Sequence, residues 1–109
     1  MARILVVDDQ PDALLGARAA LVGAGHDCVL AADGDRALEL LTAGGFDLVV
    51  LDPAMPLHDG WLVLAAAGPP PVVAVSNVGR LGQRPEVAAT LPKPCAPADL
   101  VAAVAAVLG

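Results

Sequence analysis

Basic residues are scarce in this chain of 109 residues: six Lys and Arg stand against twelve Asp and Glu, for a formal net charge of −6. That balance argues against direct nucleic-acid binding, because a phosphate backbone calls for a concentrated basic face. Cysteine is rarer still. Cys28 and Cys95 lie far apart and in no CxxC arrangement, which speaks against a disulfide framework or a zinc site and suits a reducing cytoplasm. His26 and His58 have no Cys or His partner at ligand spacing, so both read as surface or loop residues rather than metal ligands. Although 57% of residues are hydrophobic and the mean hydropathy is +0.70, no uncharged apolar run reaches membrane-spanning length. A soluble protein without a membrane segment is expected. Met1 and Arg3 lead straight into a strand-like run with no cleavage-site pattern, so the opening does not read as a secretory signal. The length suits one domain over residues 1–109, and no second domain fits.

What the chain does contain is an alternation of apolar runs and helical segments. Ile4 to Val7 reads as a first strand, and Pro11 suits the first turn of a helix that runs to about Gly23 or Gly25. Cys28 to Ala31 is a short second strand. Asp33 is a good N-cap for a helix over Arg36 to Thr42, ended by Gly44 and Gly45. Phe46 to Leu51 has too few polar residues for one wet face and belongs inside a parallel sheet. Asp59 is more readily a cap for a short helix Trp61 to Ala67 than a ligand, and Pro69 to Pro71 stop that helix. Val72 to Val75 is the fourth strand, ending on Ser76 and Asn77. Gly79, Gly82 and Pro85 leave any following helix short or absent. Ala88 to Leu91 is a small fifth strand, and Ala98 to Leu108 the final helix. Such alternation with short connections places helices on both faces of one parallel sheet, an α/β fold.

The chemistry sits where these strands end. Ile4 to Val7 runs into Asp8 and Asp9, and Phe46 to Leu51 runs into Asp52. In open α/β sheets ligands bind at the carboxyl edge. If the two strands are parallel neighbours, three carboxylates converge there, and like charges about 4 Å apart repel by roughly 4 kcal/mol at an effective dielectric near 20. A cation must offset that. A hard divalent ion such as Mg²⁺ suits an all-oxygen site with few protein ligands and binds phosphate oxygens as well. The implied chemistry is phosphoryl transfer to a carboxylate. Taken singly, each residue has a plainer reading: Asp8 and Asp9 as helix caps beside Pro11, Asp52 as a loop-opening aspartate, Ser76 as a turn residue, Lys93 as a solvated lysine and Trp61 as core.

Taken together, these residues resemble the receiver domain of bacterial two-component response regulators over essentially the whole chain. The matching marks are Val7, Asp8 and Asp9; Asp52 with Met55, Pro56, Asp59 and Gly60; Ser76; and Lys93 with Pro94. The resemblance implies a flavodoxin-like three-layer α/β/α fold with a five-stranded parallel sheet in the order 2-1-3-4-5. It implies that Asp52 accepts a phosphoryl group from a histidine kinase or phosphotransfer protein. Asp8, Asp9, Asp52 and the backbone carbonyl of Ala54 would hold Mg²⁺, Ser76 would bind the phosphoryl oxygen, and Lys93 would pair with it. The Lys93–Pro94 bond is expected to be cis, as is typical in that family. A switch acting in the cytoplasm through protein contact, with no output domain in this chain and no turnover of an outside substrate, would follow.

Departures from the family matter as well. Three residues before Lys93 the family usually carries Tyr or Phe, and here the position is Thr90. The spacings from Asp52 to Ser76 and from Ser76 to Lys93 are short for the family, so its third and fourth helices should be truncated. These features favour an alternative, a degenerate receiver that works by phosphorylation-independent contact or dimerisation. A Mg²⁺-dependent phosphatase with an aspartyl nucleophile would want a second acid two residues after Asp52, where Ala54 stands. The final helix, Leu100 to Leu108, carries no polar face, which predicts that it packs against a second subunit or a partner protein.

Overall fold

The computed structural model describes residues 2–54, 65, 70–76 and 87–109. Five strands, β1 (Arg3–Val7), β2 (Asp27–Ala31), β3 (Leu48–Leu51), β4 (Val72–Ser76) and β5 (Val87–Pro92), form one sheet in the order β2-β1-β3-β4-β5. All its pairings are parallel. The described helices are α1 (Pro11–Gly23), α2 (Gly34–Ala43) and α3 (Pro97–Leu108). The α/β fold, the five parallel strands and their order are those expected from the sequence. The expected helix Trp61 to Ala67 and the gap around Gly79 to Pro85, and with them the truncation of two helices, lie outside the described residues.

Alternation along the central strands builds two cores. Leu5 and Val7 of β1 join Val49, Leu51, Val72 and Ala37 on the α2 face. Ile4 and Val6 join Leu48, Val50 and Val73 with Leu14, Leu21, Leu100 and Val104 on the face covered by α1 and α3. Because both faces are covered, β1, β3 and β4 need apolar residues at nearly every position, and Ile4, Leu5, Leu48 and Val49 are fully buried. Each such side chain contributes about 1.5–3 kcal/mol by leaving water. Edge strands differ. Along β5 the residues alternate between half-buried and exposed, with Thr90 on the exposed side.

Local signals set most boundaries. Pro11 opens α1, and Asp33 caps α2 by accepting the Arg36 N–H at 2.7 Å. Gly44, at φ +81°, ends α2 with its N–H on the carbonyls of Leu40 and Leu41. The third strand begins two residues later than the apolar run suggests. At its start the Asp47 N–H still donates to the Arg3 carbonyl at 2.8 Å. The Arg3 N–H, however, donates to the Asp47 carboxylate at 2.8 Å, so a side chain replaces the ladder acceptor. Phe46 meanwhile packs under the Arg3 guanidinium, 4.5 Å from ring centre to carbon.

The final helix covers the sheet with one side only. Leu100 and Val104 are buried and Val101 and Val107 half-buried, while Ala102, Ala105 and Ala106 face outward. An apolar sequence is compatible with one free side because the residues left in water are mostly alanines; Leu108 is the larger exposed side chain there.

Candidate functional site

The strand order creates the site. From β1 the chain turns outward to β2, then returns past β1 to β3, so the connections leaving β1 and β3 diverge and a crevice opens at their carboxyl ends. Register puts Val7 beside both Ala31 and Leu51. The next residues continue it: the Asp8 N–H donates to the Ala31 carbonyl at 3.2 Å and the Asp52 N–H to the Val7 carbonyl at 3.1 Å. Asp8 and Asp52 are therefore neighbours across the strand ends. Carboxylate oxygens of Asp8, Asp9 and Asp52 lie within 4.8 Å of one another. Asp8 and Asp52 are buried and Asp9 is exposed.

Lys93 supplies the offsetting charge. It follows β5, with its N–H on the Ser76 carbonyl at 3.1 Å and a cis bond to Pro94, as expected. Its Nζ donates to Asp8 Oδ2 at 2.7 Å and to Asp52 Oδ2 at 2.9 Å. Burial is the strongest single influence on this ammonium and lowers its pKa. The hydrogen bonds and charges of Asp52 and Asp8 together outweigh it, and the net shift is upward from 10.5. Lys93 is thus a firmly charged ammonium at neutral pH.

Both strand-ending acids are also held from the backbone. The Gln10 N–H donates to Asp8 Oδ1 at 3.0 Å, and the Ala54 N–H to Asp52 Oδ1 at 2.9 Å. Each is an aspartate bonded to the amide two residues on, which fixes the carboxylate while leaving lone pairs for other partners. The part of Gln10 was not read from the sequence, although an aspartate at a strand end followed by a turn is the signal for it. Ser76 ends β4 at the same edge, buried and beside Pro92 in register. The structure brings Asp8, Asp9, Asp52 and Lys93 together, with Ser76 one strand over. Met55, Pro56, His58, Asp59, Gly60, Trp61, Asn77 and Val78 lie outside the described residues.

The donor set is chemically suited to a hard cation: three carboxylates, two of them shielded from water, with all-oxygen ligation. Thr90 stands exposed on β5, where no aromatic ring of its own is available to the site.

Comparison with known proteins points the same way. A family model described as the response regulator receiver domain matches residues 4–105. Among curated proteins, the transcriptional activator protein IrlR of Burkholderia pseudomallei is 39% identical over 62 residues, 57% of this chain and 27% of that protein. The transcriptional regulatory protein TcrA of Mycobacterium tuberculosis is 41% identical over 63 residues, 58% of this chain and 25% of that protein. The matched segment thus spans only about a quarter of the length of these relatives. Among solved structures, a response regulator receiver protein from Sinorhizobium medicae superposes with a TM-score of 0.84 at 33% identity, covering 98% of this chain and 94% of that one. The chemotaxis protein CheY4 of Vibrio cholerae gives 0.86 at 24% identity over 98% of both chains, a likeness of fold. Among the described residues no helix is long and apolar enough to cross a membrane.

Proposed function

The chain belongs to the response regulator receiver domain family, and from that premise we propose that it is a cytoplasmic switch phosphorylated on Asp52 by a histidine kinase or phosphotransfer protein. The observation that carries this reading is the Asp8–Lys93–Asp52 arrangement at the carboxyl edge, with Asp9 beside it. Asp8, Asp9, Asp52 and the Ala54 carbonyl would hold Mg²⁺, which supplies charge neutralisation for the oxygens of the transferring group.

This chain's own residues do the rest. A carboxylate oxygen of Asp52 forms the bond to phosphorus while the bond from phosphorus to the donor nitrogen or oxygen breaks, and the donor leaves with that electron pair. The Gln10 and Ala54 amides keep the two carboxylates in place through the step. The Lys93 ammonium, already between Asp8 and Asp52, lies where it can pair with the added phosphoryl charge. Ser76 offers a hydroxyl one strand away, and its movement toward the new acceptor oxygens would bias the neighbouring loop. Beyond its own phosphorylation and dephosphorylation the chain turns over no substrate. Partner contact, including a second copy, is assigned to the exposed side of α3 around Ala102, Ala105 and Leu108.

Thr90 favours a second reading, a phosphorylation-independent interaction module, because the exposed β5 position lacks the ring by which the family reports its state. Mass measurement after incubation with acetyl phosphate, with and without Mg²⁺, separates the two. One Mg²⁺-dependent phosphoryl adduct, lost in Asp52→Ala, is expected; the intact chain without any adduct would select the interaction module.

A further inference from the structure

Gln10 stands between the acids that end β1 and the first turn of α1, at φ −101° and ψ 117°, with its backbone N–H on Asp8 Oδ1 at 3.0 Å. The residue just before a helix is favourably Ser, Thr, Asp or Asn, whose side chain accepts a bond from the first turn. The Gln10 side chain makes no such bond. Its amide is therefore not committed to the helix, and Gln10 lines the same crevice as Asp52 and Lys93. Reach is sufficient: oxygens of Asp8, Asp9 and Asp52 lie within 4.8 Å of one another, and a glutamine amide extends roughly 5 Å from its Cα.

The chemistry of removing a phosphoryl group gives that amide a use. Water attacks phosphorus in line with the bond that breaks. On Asp52 that direction faces out of the crevice, because β1 and β3 end at its floor. The attacking water needs an acceptor for a proton and a donor that aligns the group it attacks. Among the described residues that line the crevice, Asp8, Asp12 and Asp52 only accept, while Lys93 only donates and is already held by two carboxylates. Gln10 is the neutral amide among them. An amide both accepts and donates without adding charge, and a positioned glutamine orients the attacking water in nucleotide hydrolysis.

We propose that Gln10 orients the water that dephosphorylates Asp52, so that the chain sets the lifetime of its own signal. The water oxygen forms a bond to phosphorus as the bond from phosphorus to the Asp52 oxygen breaks, and that electron pair returns to the carboxylate. One water proton stays on the new oxygen and the other passes to a phosphoryl oxygen, which gives inorganic phosphate. The Gln10 side-chain carbonyl accepts from the water and its NH₂ donates to a phosphoryl oxygen. This role rests on Asp52 being the phosphoacceptor.

The full chain is phosphorylated with acetyl phosphate and Mg²⁺, desalted into Mg²⁺ buffer, and followed by mass as the adduct is lost. Gln10→Met keeps the length of the side chain and should slow that loss about tenfold, less than the ~10²-fold of a general acid or base because an amide orients water without carrying its proton. The initial rate of adduct formation should change much less, since no water attacks in that step. Gln10→Asn keeps the amide on a shorter arm and should decay at an intermediate rate, and circular dichroism verifies that both variants fold. Decay in Gln10→Met as fast as in the native chain, equal slowing of formation and decay, or Gln10→Asn as slow as Gln10→Met would each overturn the proposal. If Gln10→Met does not fold, native-rate decay in Gln10→Asn overturns it. Absence of any adduct on the native chain would instead overturn the phosphoacceptor reading, and this role with it.

Discussion

Replacing Lys93 with methionine keeps the length of the side chain and removes its charge, so the two buried carboxylates it bridges are left facing each other. Oxygens of Asp8 and Asp52 lie within 4.8 Å, which at an effective dielectric near 20 corresponds to a repulsion of roughly 3.5 kcal/mol or more. The side chains of Lys93 and Asp52 are 15% and 11% exposed, so some of that is screened by solvent. Removing one partner of a buried pair commonly costs about 3–5 kcal/mol. A loss of about 2–3 kcal/mol is therefore expected for Lys93→Met in urea unfolding at neutral pH without divalent ions. Two further signatures accompany it. Added Mg²⁺ should stabilise the variant more than the native chain, because no ammonium competes for the carboxylates and the gain grows with ligand over dissociation constant. The deficit should also narrow as pH falls toward 5. In the variant, like-charge repulsion raises one carboxylate's folded-state pKa, so the folded state takes up a proton before the unfolded state does. A deficit below about 0.5 kcal/mol, or a Mg²⁺ response no larger than that of the native chain, would refute the electrostatic account of the site.

Asp33→Ala removes the carboxylate that accepts the Arg36 N–H at 2.7 Å and should cost about 1 kcal/mol, whereas Asp33→Asn should cost much less, as thermal melts will show. Burial, reinforced by Asp27, pushes the Cys28 thiol above 9.0, and burial with Asp99 does the same for Cys95. Both should react with iodoacetamide more slowly than an exposed thiol at pH 7.5, read by mass. Because these folded-state values lie above the unfolded ones, the thiols' contribution to stability is complete below pH 9 and declines as pH rises beyond it. The Lys93 contribution follows the same sign from 10.5 upward. Urea unfolding at pH 8, 9.5 and 11 should show stability falling across that series.

Much of the fold was legible because its signals are local. The run Ile4 to Val7, the proline at position 11 and the aspartate at position 33 act on their own neighbourhoods, and the observed elements begin or end within a residue or two of those signals. Where the reading slipped, a distant partner intervened. Phe46 and Asp47 look like strand in isolation, yet the Arg3 backbone N–H is satisfied by the Asp47 carboxylate rather than by a ladder carbonyl. In the last helix, apolar on every side in sequence, packing buries Leu100 and Val104 and leaves Ala102, Ala105, Ala106 and Leu108 outward. Asp8, Asp9, Asp52, Ser76 and Lys93 were identifiable one by one as residues that end strands. The backbone bonds from Gln10 and Ala54 were not, since an amide leaves no trace in the side-chain pattern.

By itself the sequence determined which runs become parallel strands and that Ile4 to Val7 and Phe46 to Leu51 run into aspartates, because hydrophobic patterning acts within a few residues of chain. Tertiary structure alone decided that Lys93 meets Asp8 across 85 residues and Asp52 across 41, within 2.9 Å of both. That meeting depends on the strand order, which inserts β3 between β1 and β4 and gathers distant strand ends at one edge.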